Sequence, residues 1–239
     1  MTELARLIHG DACEVLRGLP AESVHCVVTS PPYWGLRVYS IPPSVWGGDP
    51  EHVHEWGENG QRHIGGGNGG GAATVGRDQS ACNAMAVTNT GQRCSCGAWL
   101  GVLGLEPTPE LWVEHLVTIF REVRRVLRSG GTLWLNVSDC YATGAGRGTH
   151  LFEQAGKNGT AKGMNPLAVI PTYPPNRMPI AGYKPKDLVG APWALATALR
   201  ADGWWLRSDI IWAKPNPVPE SVTDRPTRSH EYVFLLAKS

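Results

Sequence analysis

The 239-residue sequence carries almost no net charge, with 22 basic against 21 acidic residues and a formal balance of +1. That excludes a general electrostatic attraction to nucleic acid, so any such affinity must come from local patches. No apolar run approaches the length needed to span a bilayer, and the first residues lack the apolar core of a secretory signal. These two absences predict a cytoplasmic protein. A disulfide framework is missing as well. Cys13, Cys26 and Cys140 are scattered through segments with regular patterning, while Cys82, Cys94 and Cys96 sit in an irregular stretch, which points to metal ligation or free thiols. What is present is enough chain for one substantial α/β domain, or a smaller one with a long insertion.

Leu4–His9 is a short apolar strand candidate, followed by Gly10-Asp11 and a helical turn through Leu16 that stops at Gly18 and Pro20. Val24–Thr29 is rich in β-branched residues and ends at two prolines, a pattern that predicts a strand buried on both faces of a parallel sheet. From about residue 39 to residue 103 the chain turns polar and Gly-rich around Gly65–Gly71. So long a stretch without periodicity predicts a flexible insertion. Thr108 and Pro109 then suit the cap and first position of a helix, in which Leu111, Trp112, Leu116, Ile119, Phe120, Val123 and Leu127 recur at helical spacing. Arg124, Arg125 and Arg128 load its last turn and Gly130-Gly131 is its expected stop. Thr132–Val137 is the next expected strand, Ala191–Arg200 the next helix, and Trp205–Trp212 and Glu231–Leu236 the last strands. Strands alternating with helices predict a parallel-type sheet with helices on both faces. Trp204, Trp205 and Trp212, on or beside a strand, are expected in the core.

The segment with chemical content is Thr29-Ser30-Pro31-Pro32-Tyr33, directly after the expected buried strand. Ligands of open α/β sheets bind outside the carboxyl ends of the strands. Consecutive prolines fix φ twice and remove two backbone donors, so the turn offers carbonyls outward. Such acceptors suit an exocyclic amino group: Ser30 Oγ and the Pro31 carbonyl can take its two hydrogens and turn its lone pair toward an electrophile. Tyr33 can stack on an aromatic base extruded from a duplex. Taken alone, Pro-Pro-Tyr also reads as a plain turn that ends a strand.

Ser30-Pro31-Pro32-Tyr33 resembles the catalytic tetrapeptide of the amino-methylating DNA methyltransferases, in the variety usual for methylation of the cytosine N4 amine; adenine-specific relatives more often have Asp or Asn in place of Ser30. His9-Gly10-Asp11-Ala12 resembles the family's segment before the catalytic strand, which implies that Asp11 and Ala12 approach the adenosine of S-adenosylmethionine. Gly131–Asn136 with Asp139, Asp209–Trp212 with Lys214-Pro215-Asn216, and Ser229–Tyr232 resemble later strands of the same sheet. The resemblance implies a Rossmann-like S-adenosylmethionine-dependent α/β methyltransferase sheet over 1–38 and 104–239, with 39–103 inserted. It implies DNA as partner and direct methyl transfer without a covalent enzyme–base intermediate. His230 and Glu231 are given a structural role.

The family's glycine motif, which resembles Asp-Pro-Phe-x-Gly-Ser-Gly on a strand-to-helix turn, is not found. Gly65–Gly71 has no strand before it, and Thr143–Gly148 leads into no helix. The sheet is therefore expected to be incomplete and to expose an apolar edge at Val24–Thr29, with a second polypeptide supplying the remaining strands. N6-adenine methylation and a catalytically silent DNA- or partner-binding fragment stay open as alternatives. In the insertion, His52 and His54 with Cys94 and Cys96 are candidate ligands of a structural zinc, and His63 and Cys82 are spares. The Cys-x-Cys spacing is shorter than the usual zinc knuckle, and free thiols with solvated histidines are the alternative. Arg147, Lys157, Lys162, Arg177, Lys184 and Lys186, with Tyr173 and Tyr183 between them, are candidate DNA contacts.

Overall fold

The computed structural model describes residues 5–36, 41–57, 61–63, 87–89, 91–142, 180–217 and 219–239. In chain order its elements are α1 (Ala12–Arg17), β1 (Val24–Thr29), β2 (Ser44–Trp46), β3 (Gln61–His63), β4 (Val87–Asn89), β5 (Gln92–Arg93), β6 (Trp99–Gly101), α2 (Pro109–Val126), β7 (Leu127–Val137), α3 (Ala191–Ala201), β8 (Trp205–Ala213) and β9 (His230–Ala237). They divide into two compact units. One comprises Met1–Trp34, Pro109–Cys140 and Val189–Ser239, the other Gly35–Thr108 and Tyr141–Leu188.

In the first unit, α1 begins at Asp11, whose Oδ1 accepts from the backbone N–H groups of Cys13 (2.9 Å) and Glu14 (3.2 Å). At its other end Arg125 of α2 donates to the carbonyls of Leu16 (2.7 Å) and Leu19 (3.0 Å), satisfying acceptors that a short helix leaves over. Of the expected α2 stripe, Trp112, Leu116, Ile119, Phe120 and Val123 are buried, whereas Leu111 is half-buried and Leu127 falls in the following strand, so that Val126 closes the stripe. The helix ends at Val126, ahead of Gly130-Gly131, and the chain enters β7 at once. Gly130 has φ +73° and lies where the β1–β7 register jumps from Val24↔Leu127 to Cys26↔Thr132. The glycines thus shape a bulge in a strand rather than stop a helix.

The four-stranded sheet has the order β1-β7-β9-β8. β1 is parallel to β7, while β9 is antiparallel to both of its neighbours. The expected parallel-type sheet is therefore mixed. The β8–β9 connection has no helix among its described residues, and without a helical crossover neighbouring strands run antiparallel. Leu133, Leu135 and Val137 of β7 and Phe234 and Leu236 of β9 alternate onto one face and are fully buried, on which Trp193 of α3 meets Phe234 edge-on at 5.1 Å.

The opposite face departs from expectation. Val28, Trp134, Ile210, Trp212 and Val233 line an open apolar hollow of about 420 Å³, and Val28 is 79% exposed. Among the described residues β1 pairs with β7 alone, so Val24–Thr29 is an edge strand and not one buried on both faces. Trp204 is buried as expected, but Trp205 (61% exposed) and Trp212 (58%) are not core residues. They project from β8, the other edge strand. Nor do Ala5–His9 form a strand: Leu7 is fully exposed, and no described strand lies beside them to supply the pairing that a strand requires.

In the second unit, β2, β6 and β5 form a three-stranded antiparallel sheet and β3 pairs with β4. Part of the stretch expected to be structureless is thus ordered. Its packing centre is Trp99, 1% exposed, whose indole lies across two glycines; a Cβ at Gly91 or Gly101 would fall 2.4 or 2.1 Å from it. Gly65–Gly71, Cys82, Arg147, Lys157, Lys162, Tyr173 and Arg177 lie outside the described residues, as does the side chain of His63. No helix among the described residues is long and apolar enough to cross a membrane.

The two faces of the sheet predict unequal sensitivities. Leu135→Ala should lower the unfolding free energy by about 2–5 kcal/mol, the cost of a cavity in a packed core, and Val28→Ala by no more than about 0.5 kcal/mol. Urea denaturation of the two variants measures both. Equal losses would show that the Val28 face is covered.

Candidate active site

Pro31 and Pro32 have no N–H to anchor the segment that leaves β1, so side chains must hold it. Trp112, in the first turn of α2, does so: its indole Nε1 donates to the Pro32 carbonyl at 2.9 Å. Tyr33 holds the other side. Its hydroxyl donates to Asn136 Oδ1 at 2.6 Å, with Glu231 Oε2 3.3 Å away, and accepts from Ser30 Oγ at 3.0 Å.

The direction of this chain of hydrogen bonds follows from its far end. Asn136 Nδ2 donates to the Tyr232 carbonyl at 3.1 Å, which turns Oδ1 toward Tyr33. Tyr33 must then donate to Asn136, and its oxygen is left to accept from Ser30. The Ser30 hydrogen is consequently committed inward, and its lone pairs are left as acceptors for a donor approaching from outside. Asn136 alternates with the buried Leu135 and Val137 along β7, so the network is built on the rigid end of the sheet.

Glu231, at the start of β9, closes the network. Burial pushes its carboxyl up, but the hydrogen bond and charge of Lys214, with Asn136 and Tyr33, outweigh burial and leave the group below its ordinary value. It forms an ion pair with Lys214, and its Oε2 is the longer branch of the shared Tyr33 hydrogen, at 3.3 Å against 2.6 Å to Asn136. Asp139, just beyond β7, is buried; it accepts from the N–H groups of Cys140 (2.9 Å), Gly190 (3.0 Å) and Ala191 (3.2 Å) and so caps α3, whose own cap position is glycine. Burial raises its carboxyl, against the pull of those N–H groups and of Arg228.

The structure therefore brings Ser30 and Tyr33 together and adds Trp112, Asn136, Glu231 and Lys214, none of which was singled out for the site from sequence. Trp112 read as one more core residue of an amphipathic helix; only its place in the first turn, facing a donor-poor segment, hinted at more. Asp11 is exposed and spends Oδ1 on capping α1, with Ala12 as the first helical residue. In the second unit, His52, His54, Cys94 and Cys96 present donor atoms that all lie within 4.8 Å of one another. N–H donation from Cys96, opposed by burial and reinforced by His54, holds the Cys94 thiol at about 6.

The family described as DNA methylase (N6_N4_Mtase) matches residues 24–239. The chain belongs to the DNA methylase family. It is 40% identical over 235 residues to the type II methyltransferase M.Cfr9I of Citrobacter freundii, covering 98% of this chain and 55% of that protein. Against the type II methyltransferase M.SmaI of Serratia marcescens it is 41% identical over 233 residues, covering 98% and 56%. The chain thus spans about half the length of the curated relatives it matches. Among solved structures, PvuII DNA methyltransferase (cytosine-N4-specific) superposes with a TM-score of 0.45 at 12% identity, over 96% of this chain and 48% of that one.

The Glu231–Lys214 pair of this DNA methylase chain sets a pH dependence. A carboxyl held low stabilises the fold fully above its unfolded value of about 4.3, and that share is lost as pH falls through the lower folded value. Replacing Lys214 leaves burial unopposed by its main partner. In Lys214→Met the Glu231 titration, followed by NMR of the side-chain carboxyl carbon, should move upward from below the ordinary range. An unmoved midpoint would remove Lys214 as the cause.

Proposed function

We propose that this DNA methylase chain carries the amine-binding side of a DNA methyltransferase that methylates the N4 amine of a cytosine flipped out of the duplex. The observation that carries the reading is the oriented Ser30–Tyr33–Asn136 network beside a proline pair pinned by Trp112. Because the Pro32 carbonyl is engaged by Trp112, this reading assigns the Pro31 carbonyl and Ser30 Oγ as the two acceptors for the amine hydrogens. Holding both hydrogens on one side draws the nitrogen away from conjugation with the ring and aims its lone pair outward. The Tyr33 ring, fixed through its hydroxyl, offers a stacking surface for the base. Positioning and electrostatics of this kind are where the rate enhancement arises.

S-adenosylmethionine supplies the methyl group of the proposed reaction. The residues present fit the amine well and the methyl donor only in part. Asp11 and Ala12 open α1, Asp11 Oδ1 is committed to the helix cap, and the family's Asp-Pro-Phe-x-Gly-Ser-Gly pattern does not occur in the 239-residue sequence. We therefore assign the donor's methionine end to strands that pair with the open edge of β1 and cover the Val28–Trp212 hollow, contributed by further residues or by a second polypeptide. Exposed apolar surface on an edge strand supports this reading. Lys184 and Lys186, on either side of Pro185 and close to Tyr183, are assigned to the DNA backbone. The Ser at position 30 favours cytosine N4 over adenine N6. The missing glycine turn favours the rival reading, a silent DNA- or partner-binding fragment.

One experiment separates these readings. The purified chain is incubated with S-adenosylmethionine and duplex DNA, and the nucleosides are identified by mass spectrometry. N4-methylcytosine is the expected product. N6-methyladenine would transfer the same site to the other amine. No methylated base, together with no calorimetric binding of S-adenosylmethionine, would mean that the donor side lies elsewhere or has been lost.

A further inference from the structure

We propose that His52, His54, Cys94 and Cys96 hold one structural zinc ion in the second unit. Two imidazoles and two thiolates are the donor set that tetrahedral zinc prefers over the other common divalent ions. Zn–S and Zn–N bonds of about 2.3 and 2.0–2.1 Å place neighbouring donors of a tetrahedron about 3.3–3.8 Å apart. Cys96 Sγ and His54 Nδ1 are 3.4 Å apart, and the whole set falls within 4.8 Å. Two thiolates balance the ion's charge, so the site is neutral.

The backbone explains why these four residues meet. β5 and β6 form a hairpin whose turn is closed by Cys94 N–H donating to the Ala98 carbonyl (2.9 Å) and Gly97 N–H to the Cys94 carbonyl (3.0 Å). Gly97, at φ +90°, permits a turn tight enough for both sulfurs of a Cys-x-Cys pair to face one side. The histidine segment is laid against this turn at both ends. Gly57 N–H donates to the Arg93 carbonyl at 3.1 Å, and Gln92 Nε2 to the Gly57 carbonyl at 3.0 Å. At the other end Gly48 lies so close to the turn that a Cβ there would meet Ala98 at 2.6 Å. Between them an Asp49 turn, with Glu51 N–H donating to Oδ1 at 3.0 Å, brings His52 and then His54 to the sulfurs.

Four protein ligands leave no open position, so the ion has no part in chemistry. Its work is to close a unit whose β2, β5 and β6 strands are two or three residues long, the circumstance in which small folds rely on a metal. The proposal is independent of the methyl-transfer reading: a chain that binds zinc and methylates nothing would leave it intact.

The full chain, purified without chelator or added metal, should contain one zinc per chain by elemental mass spectrometry. The Cys94→Ser/Cys96→Ser double variant should contain none. Since that variant can lose metal simply by unfolding, Co2+ exchange into the unsubstituted chain gives the decisive signature: intense visible bands of a tetrahedral ion and thiolate-to-metal charge transfer in the near ultraviolet. His54→Cys should keep one metal per chain and strengthen the charge-transfer band. A chain without zinc that takes up no tetrahedral Co2+, or zinc retained in full by the double cysteine variant, would overturn the assignment.

Discussion

Two consecutive prolines cannot hold themselves in place, and that constraint organises the site. With no backbone donors at Pro31 and Pro32, the segment after β1 takes its position from Trp112 on one side and from the Tyr33 hydroxyl on the other. Both anchors come from distant parts of the sequence, and both depend on larger packing. Trp112 is placed by the buried stripe of α2, and Asn136 by the alternation of β7 against β9. The outward character of Ser30 is thus a consequence of how the sheet closes, transmitted through an amide whose orientation is fixed by the Tyr232 carbonyl. Glu231 adds a charged acceptor that Lys214 keeps ionised, so the carboxyl itself brings no hydrogen into the network.

The same sheet is finished on one face and open on the other. Leu133, Leu135, Phe234 and Leu236 lie buried on one face, while Val28, Ile210 and Trp212 lie open on the other. An apolar edge strand next to an apolar hollow is a surface that water disfavours and that unpaired backbone groups make adhesive. It adjoins the end of β1 from which Ser30 projects, where the proposed reaction needs its methyl donor. The second unit is organised differently: it gathers its order around Trp99 and the Cys94–Ala98 turn.

Much of the first unit is legible in the sequence because its signals are local. Thr108-Pro109 and the spacing from Trp112 to Val123 locate α2, Asp11 and Gly18 bracket α1, and a β-branched run marks β1. What escapes is what depends on neighbours. Whether Val24–Thr29 is central or edge is decided by which strands lie beside it, and its composition is compatible with both. The reversal of β9 has no periodic trace, since a strand reads the same whichever neighbour it opposes. Gly130-Gly131 looks like a helix stop, although the bulge it forms answers to the β1 register. Ser30–Tyr33 could be picked out because a short motif carries its chemistry. Trp112 and Asn136 could not, because a core tryptophan and a strand asparagine become site residues only through a partner 80 or 103 positions away. Glu231 reads as structural from sequence because methylation of an oriented amine needs little general-base help. The two histidines and two cysteines were visible as a set, but only the Gly97 turn shows how a Cys-x-Cys pair can turn both sulfurs to one side.

The central claim is that Ser30 faces its substrate as an acceptor because Tyr33 and Asn136 commit its hydrogen inward. A crystal structure of the protein with a DNA oligonucleotide carrying the target base tests it most directly. The account predicts the exocyclic amine within hydrogen-bonding reach, about 2.7–3.2 Å, of both Ser30 Oγ and the Pro31 carbonyl, with the Ser30–Tyr33–Asn136 contacts intact. An amine held by other groups, or a Ser30 released from Tyr33 in the complex, would contradict it.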